Sequence, residues 1–310
     1  MNIVFMGTPD FAVPSLSKIL QAGYRVTAVV TAPDRPAGRG RQLRPSPVKE
    51  FAQSHGLKVL QPEKLRDPGF LDELREAAPD LMVVVAFRML PEAVWSLPSM
   101  GTFNLHASLL PDYRGAAPIN WAIINGETKS GATTFLIDKE IDTGNLMLQR
   151  ETEILPSWTA GDLHDVLMEM GAELVLETVQ GLENSSIATH AQDESLSRNK
   201  APKIFKEDCR IDWTLPATKV NNLIRGLSPY PTAWTYFQDE PAKIYLARPG
   251  QEATAGVLPG SIRLSENREQ MFVACANQWL EILSLQMPGK KRLATAEFLR
   301  GFKDELVAFS

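Results

Sequence analysis

Leu81-Met82-Val83-Val84-Val85-Ala86 is a run of six apolar residues without a polar interruption. A strand with one wet face alternates apolar and polar side chains, so a strand apolar at every position must be covered on both faces, as a central strand of a helix-flanked parallel sheet is. Outward from this run, Ile3 to Met6, Val26 to Val30, Lys58 to Leu60 and Thr102 to Leu105 are further short apolar stretches. Helical patterns separate them: in Phe11 to Ala22, Phe11, Leu16, Ile19 and Leu20 fall near one face and Gly23 supplies a stop. This alternation predicts an α/β fold, a doubly wound, Rossmann-like, mostly parallel sheet. A further strand pair lies near Thr133 to Ile137 and Leu146 to Thr152, then a long helix from about Thr159 to Glu183.

The rhythm then changes. The Ser-, Asn-, Lys- and Pro-containing stretch up to Lys206 has no clear period and reads as a chain crossing. After a helix near Ala217 to Leu227 come short strands at Ala233 to Phe237, Lys243 to Ala247, Ser261 to Leu264, Met271 to Ala276 and Trp279 to Leu285. Short strands at regular spacing predict a small OB-like β-barrel. The expected organisation is therefore a first domain at 1–189, a linker at 190–206 and a second domain at 207–310.

The 310 residues are 44% hydrophobic and 22% charged, an ordinary globular composition. No basic start with an apolar core marks a secretory signal, and no apolar stretch reaches the ~18–20 residues that span a bilayer, so a cytoplasmic location is expected. Two cysteines, Cys209 and Cys275, support neither a disulfide framework nor a zinc site. The formal charge of -5 is unevenly spread: from Lys203 onward 14 basic residues face 12 acidic ones, against 18 and 25 before it. A nucleic-acid partner stays compatible with that distribution.

In an open parallel sheet ligands bind beyond the carboxyl ends of the strands. The strand at Thr102 ends in Asn104-Leu105-His106, whose period of two sends Asn104 and His106 to one side. An amide and an imidazole facing one point suit acyl transfer, where attack on a carbonyl makes an oxyanion that N–H donors stabilise. A turn-capping Asn104 beside a core His106 fits the spacing equally well.

The chain continues with Ser108-Leu109-Leu110-Pro111-Asp112-Tyr113-Arg114-Gly115, and later reaches Ile141-Asp142-Thr143-Gly144. With Asn-x-His, the Ser-Leu-Leu-Pro loop and the acidic turn in this order, the chain resembles the folate-dependent formyltransferases across almost its whole length. From the residues alone Asp138, Glu140 and Asp142 are equal candidates; the resemblance selects Asp142. It implies catalysis by Asn104, His106 and Asp142, with His106 and Asn104 on the oxyanion while Asp142 orients or charges His106 and assists proton removal. It implies 10-formyltetrahydrofolate as formyl donor, bound by Ser108, Leu109, Leu110 and Pro111 and by Phe87, Arg88 and Met89. In Val85-Ala86-Phe87-Arg88-Met89-Leu90-Pro91, Phe87 and Arg88 stand where the family has Tyr and Gly, and Asn145 replaces a common Asp.

Gly7-Thr8-Pro9-Asp10-Phe11-Ala12 is neither a dinucleotide fingerprint nor a phosphate loop, so no nucleotide cofactor and no metal are expected. The segment Pro33 to Lys49 carries five basic residues and one acidic, and its Gly and Pro content suggests a mobile loop at the rim of the site. It resembles the insertion loop of the family members that act on initiator methionyl-tRNA. The resemblance implies that tRNA as acceptor, with contacts from Arg35, Arg39, Arg41, Arg44, Lys203 and Lys206, and a monomeric enzyme. The alternatives are transfer to a small amine such as glycinamide ribonucleotide or an amino sugar, hydrolysis of the folate formyl group, and a tRNA-binding module with a vestigial pocket. The Lys290-Lys291-Arg292 run reads as a solvated turn, and Trp213, Trp234 and Trp279 as barrel core.

Overall fold

The computed structural model describes residues 1–37, 42–302 and 308–310. In chain order the first part forms β1 (Asn2–Gly7), α1 (Val13–Gln21), β2 (Arg25–Val30), β3 (Arg35–Ala37), β4 (Gln42–Arg44), α2 (Pro47–Ser54), β5 (Val59–Leu60), α3 (Pro68–Glu76), β6 (Leu81–Val85), α4 (Glu92–Trp95), β7 (Thr102–His106) and β8 (Arg114–Gly115). Then come α5 (Pro118–Asn125), β9 (Lys129–Leu136), β10 (Leu146–Glu153), α6 (Ala160–Glu183) and β11 (Lys200–Ala201).

Seven of these strands make one sheet in the order β10-β9-β7-β6-β1-β2-β5. β1 pairs in parallel with β2 and β6, β2 with β5, and β6 with β7, while β9 joins β7 antiparallel. All five residues of β6 are buried, as its unbroken apolar run requires. Alternate residues on one face, Val4, Met6, Ala28, Val30, Met82 and Val84, close a core with Phe70 and Leu74 of α3. Pro47 and Pro68 open α2 and α3, and the side chains of Ser46 and Asp67 cap those helices by accepting from Lys49 N and Phe70 N.

Strand order reverses at β1, which has β2 on one side and β6 on the other, and this puts a ligand crevice at the carboxyl ends of β1 and β6. Gly7 ends β1 there; a Cβ at this position would lie 2.7 Å from Ala12 Cβ and 3.1 Å from the Val85 carbonyl oxygen, so only glycine lets the strands and the adjoining turn close up. Ala86, just past β6, adopts φ 48°.

The remaining chain forms α7 (Ala217–Gly226), β12 (Ala233–Phe237), β13 (Glu240–Ala253), β14 (Ile262–Leu264), β15 (Met271–Ala274), β16 (Gln278–Gln286), β17 (Leu293–Ala294) and α8 (Thr295–Gly301). The strands order as β12-β13-β16-β15-β14, with β17 also on β16, and neighbours in this sheet run antiparallel. Their core gathers Val220 and Ile224 of α7, Ile244, Val273, Leu280, Ile282 and Phe298. Trp213 and Trp279 are buried in this part, and Trp234 is partly buried against its core.

The chain divides into two compact units that interleave along the sequence: Met1–Gly115, Ser130–Thr152 and His164–Lys200 in one, Ala116–Lys129, Glu153–Leu163 and Ala201–Ser310 in the other. α5 thus clusters with the antiparallel sheet. Within that unit Asn120 donates to the Gly226 carbonyl at 2.7 Å and Trp121 to the Pro202 carbonyl at 2.8 Å. Among the described residues no helix is long and apolar enough to cross a membrane.

Candidate active site

Asn104 and His106 lie on one face of β7 at its carboxyl end, the register placing Asn104 beside Val84 of β6 and His106 opposite Thr133 of β9. His106 is 6% exposed. Its Nε2 lies 2.9 Å from the Tyr113 carbonyl oxygen. A carbonyl only accepts, so Nε2 carries a proton and Nδ1 is left as the imidazole's working atom. That atom is 3.7 Å from Oδ2 of Asp142.

Asp142 is the one of the three acidic candidates that reaches His106. Asp138 and Glu140 point to the turn and to solvent: Glu140 is exposed, and Asp138 spends a carboxylate oxygen on the turn itself, accepting from Glu140 N and Thr143 Oγ1. The Asp142 carboxylate accepts from Gly115 N at 3.0 Å, and its residue stands at φ 58°. Two residues on, a Cβ at Gly144 would collide with the Leu136 carbonyl oxygen, which explains the Asp-Thr-Gly ending of the turn. Tyr113, whose carbonyl holds His106, is also left-handed at φ 59°. Non-glycine residues in this region each cost about 1–2 kcal/mol, and such strain persists where surrounding contacts over-determine it.

The Asn104 side chain is half-buried and makes no hydrogen bond to any described residue. An unengaged carboxamide beside a half-wired imidazole leaves donors available to a reacting oxygen.

The Ser108 to Pro111 loop is built from the inside. Ser108, Leu110 and Pro111 are buried and Leu109 is partly so. Ser108 Oγ donates to the Asp112 carbonyl, Thr133 Oγ1 donates to the Ser108 carbonyl and accepts from Leu110 N, and Gln149 donates to the Leu110 carbonyl. The Ser108 hydroxyl and the carbonyls of Ser108, Leu109 and Leu110 are thus engaged within the protein, which fixes the shape of the loop.

Arg88 and Met89 line a cavity of about 420 Å³ with Leu65, Arg66, Trp95 and Lys139. This volume falls in the usual range for small-molecule sites. Arg88 donates to the carbonyls of Pro62 and Glu63 and lies over the Phe87 ring at 5.6 Å. Burial pulls its guanidinium below the usual range, with repulsion from Arg35 adding to the effect. Among the described residues no cluster of His, Cys, Asp and Glu could hold a metal ion.

In the basic segment Arg35–Ala37 and Gln42–Arg44 pair as antiparallel strands, and its last residues are the capped first turn of α2. Its base is fastened by Asp34, which accepts from Lys49 at 2.6 Å and from Gln61 at 2.8 Å; these bonds hold its carboxyl below the ordinary range. Arg35 and Arg44 sit directly across from one another, a like-charge pair that costs stability. Arg39 and Arg41 lie outside the described residues. In the other unit, Lys203 stands over the exposed Phe205 ring at 5.4 Å and Lys206 over Trp234 at 5.7 Å, with Arg210 facing Trp234 and Tyr236. In the basic run, Arg292 covers Tyr245 at 4.4 Å and donates to Ser284 Oγ.

Several contributors carry no sequence signal. Tyr113 and Gly115 act through backbone groups, so no side chain announces them. Gln192 lies in the aperiodic segment expected to be a linker, yet donates to the carbonyls of Asp142 and Gly144, both at 2.8 Å. The same segment is held by Asp112, which accepts from the backbone N–H groups of Arg198 and Asn199.

A doubly wound sheet early in the chain and an antiparallel sheet late in it define a class, and most of the chain matches it. Residues 1–179 match the formyl transferase family and residues 203–303 the formyl transferase C-terminal domain; the chain belongs to this family. Within it, the chain is 49% identical to the methionyl-tRNA formyltransferase of Flavobacterium johnsoniae, over 98% of each chain. It is also 49% identical to that of Bacteroides thetaiotaomicron, over 98% of this chain and 96% of the relative, and 47% to that of Geobacter sulfurreducens, over 98% and 95%. The fold is shared with an N-formyltransferase from Helicobacter canadensis in complex with folinic acid and dTDP-3-aminofucose, at TM-score 0.67 and 20% identity over 94% of this chain and 99% of that one. It is shared too with HypX from Aquifex aeolicus in complex with tetrahydrofolic acid, at TM-score 0.67 and 20% identity over 99% of this chain and 50% of that one.

Proposed function

We propose that this chain transfers the formyl group of 10-formyltetrahydrofolate to the amino group of methionyl initiator tRNA, giving formylmethionyl-tRNA for translation initiation. The observation that carries the chemistry is the half-wired imidazole: His106 Nε2–H is committed to Tyr113, so Nδ1 alone meets both Asp142 and the site. To donate to an oxyanion from Nδ1, His106 must be doubly protonated, and Asp142 is the counter-charge that suits this state. Asn104 supplies the second donor. As the amine attacks the formyl carbon, the two donors hold the negative oxygen and the amine's proton passes to Asp142, directly or by water; the oxygen's charge then reforms the carbonyl, the formyl carbon–N10 bond breaks, and N10 takes up a proton as tetrahydrofolate leaves. Phe87, Arg88 and Met89 and the Ser108 to Pro111 loop are assigned to bind the donor's ring system.

The acceptor reading rests on near-full-length identity to methionyl-tRNA formyltransferases and on the basic strand pair. Residues 1–189 are assigned the chemistry, 190–206 the connection and 207–310 the OB-like tRNA-binding role. Arg35, Arg39, Arg41 and Arg44 meet the acceptor arm, and Lys203 and Lys206 meet phosphates elsewhere. The enzyme works as a monomer in the cytoplasm. Labelled formyl from 10-formyltetrahydrofolate is offered to initiator methionyl-tRNA, elongator methionyl-tRNA and glycinamide ribonucleotide in parallel. Label on the initiator alone supports the assignment, label on the ribonucleotide redirects it to a small amine, and label nowhere removes it.

A further inference from the structure

We propose that Gln192 is a positioning residue for formyl transfer, its carboxamide locking the turn that presents Asp142 to His106; this rests on formyl transfer by the Asn104, His106 and Asp142 set. Gln192 Nε2 donates to the carbonyl oxygens of Asp142 and Gly144, each at 2.8 Å. Its Oε1 accepts from Arg114 Nε at 3.1 Å and Arg114 Nη2 at 2.6 Å. Two donors and two acceptor positions are all a carboxamide has, and all four are used. The orientation is unambiguous, because carbonyls only accept and a guanidinium only donates. Arg114 is fixed in turn by a two-pronged pair with Glu194, at 3.0 and 2.7 Å.

The arrangement joins separate parts of the site through one short strip. Tyr113 holds His106, Arg114 holds Gln192, and Gly115 holds the Asp142 carboxylate. Asp142 is thus gripped at its side chain by Gly115 N–H and at its main chain by Gln192, both referenced to residues 113–115. The grip has work to do, since Asp142 is left-handed and Gly144 is pressed against the Leu136 carbonyl. Freed of Gln192, two carbonyls lose their donors and the turn relaxes. A shift of 1 Å in a catalytic group can cost about 100-fold.

The test is Gln192→Glu in the full-length protein, which keeps the size and the Arg114 contact but offers two carbonyls no donor. Turnover should fall about 30- to 100-fold, with the KM for folate and for tRNA each within about threefold and the melting temperature nearly unchanged. Combined with Asp142→Asn, the substitution should add less than about threefold, because residues acting as one unit are non-additive. Gln192→Met, of similar volume and without charge, should behave alike, and it decides the matter if Gln192→Glu fails to fold. Turnover within about threefold of the parent, or an equal loss in both backgrounds, overturns the inference while leaving the Asn-His-Asp reading intact. An Asp142→Asn enzyme as active as the parent instead removes that reading, and the role of Gln192 with it.

Discussion

Replacing Asp142 by Asn tests the charge assignment most directly. The amide keeps the size and retains an oxygen for Gly115 N–H, so the turn should survive while the negative charge facing His106 disappears. At the observed 3.7 Å separation, a unit charge pair is worth about 1 kcal/mol in bulk water and about 4.5 kcal/mol at an effective dielectric of about 20. At about 1.4 kcal/mol per decade these bounds correspond to about 6-fold and about 2,000-fold in rate. With the two side chains 7% and 14% exposed, the site lies nearer the second bound, and a loss of about 100- to 1,000-fold is expected. Single-turnover transfer from saturating 10-formyltetrahydrofolate measures the chemical step without product release. The loss should appear in that rate constant, with both substrate affinities within about threefold. A loss under about fivefold, or one carried by weaker binding, refutes the role given to the His106–Asp142 pair.

Removing the second donor by Asn104→Ala should lower turnover about 100- to 1,000-fold, and a loss under about threefold in steady-state kinetics would strip Asn104 of its oxyanion role. Arg35→Ala and Arg44→Ala should each flatten the slope of log affinity for tRNA against log salt by up to about 0.9 and leave the folate KM alone; an unchanged slope in a filter-binding titration would make the strand pair's charge incidental. Burial pushes the Cys275 thiol up to about 12, so at about pH 8 the native protein should resist a thiol reagent at this position until it unfolds. Rapid labelling of Cys275 in native conditions, read by peptide mass spectrometry, would contradict that burial.

Much of the layout is legible in the sequence because it depends on local periodicity. The apolar run at Leu81 becomes the fully buried β6, and Ala233 to Phe237 forms a strand over those same residues. The pairing of the Arg35 and Arg44 strands is less legible, because paired strands of three residues are too short to establish a period and stand amid Gly and Pro. The C-terminal helix Thr295–Gly301 escapes a reading by period for a similar reason, being only seven residues long. Residue identity also marks Asn104 and His106, since chemistry-bearing side chains two apart on a strand must share a face.

The alternating sheet, the change of architecture after it and the candidate catalytic residue types are written in patterns within a few residues and in the family motif. Which nitrogen of His106 faces Asp142, how far it stands from that carboxylate, and that a glutamine 50 positions further on holds the Asp142 carbonyl emerge with the folded chain alone. These depend on backbone carbonyls and N–H groups that every residue carries alike, so no letter in the chain can announce them; they acquire a role only when folding brings distant segments to hydrogen-bonding distance.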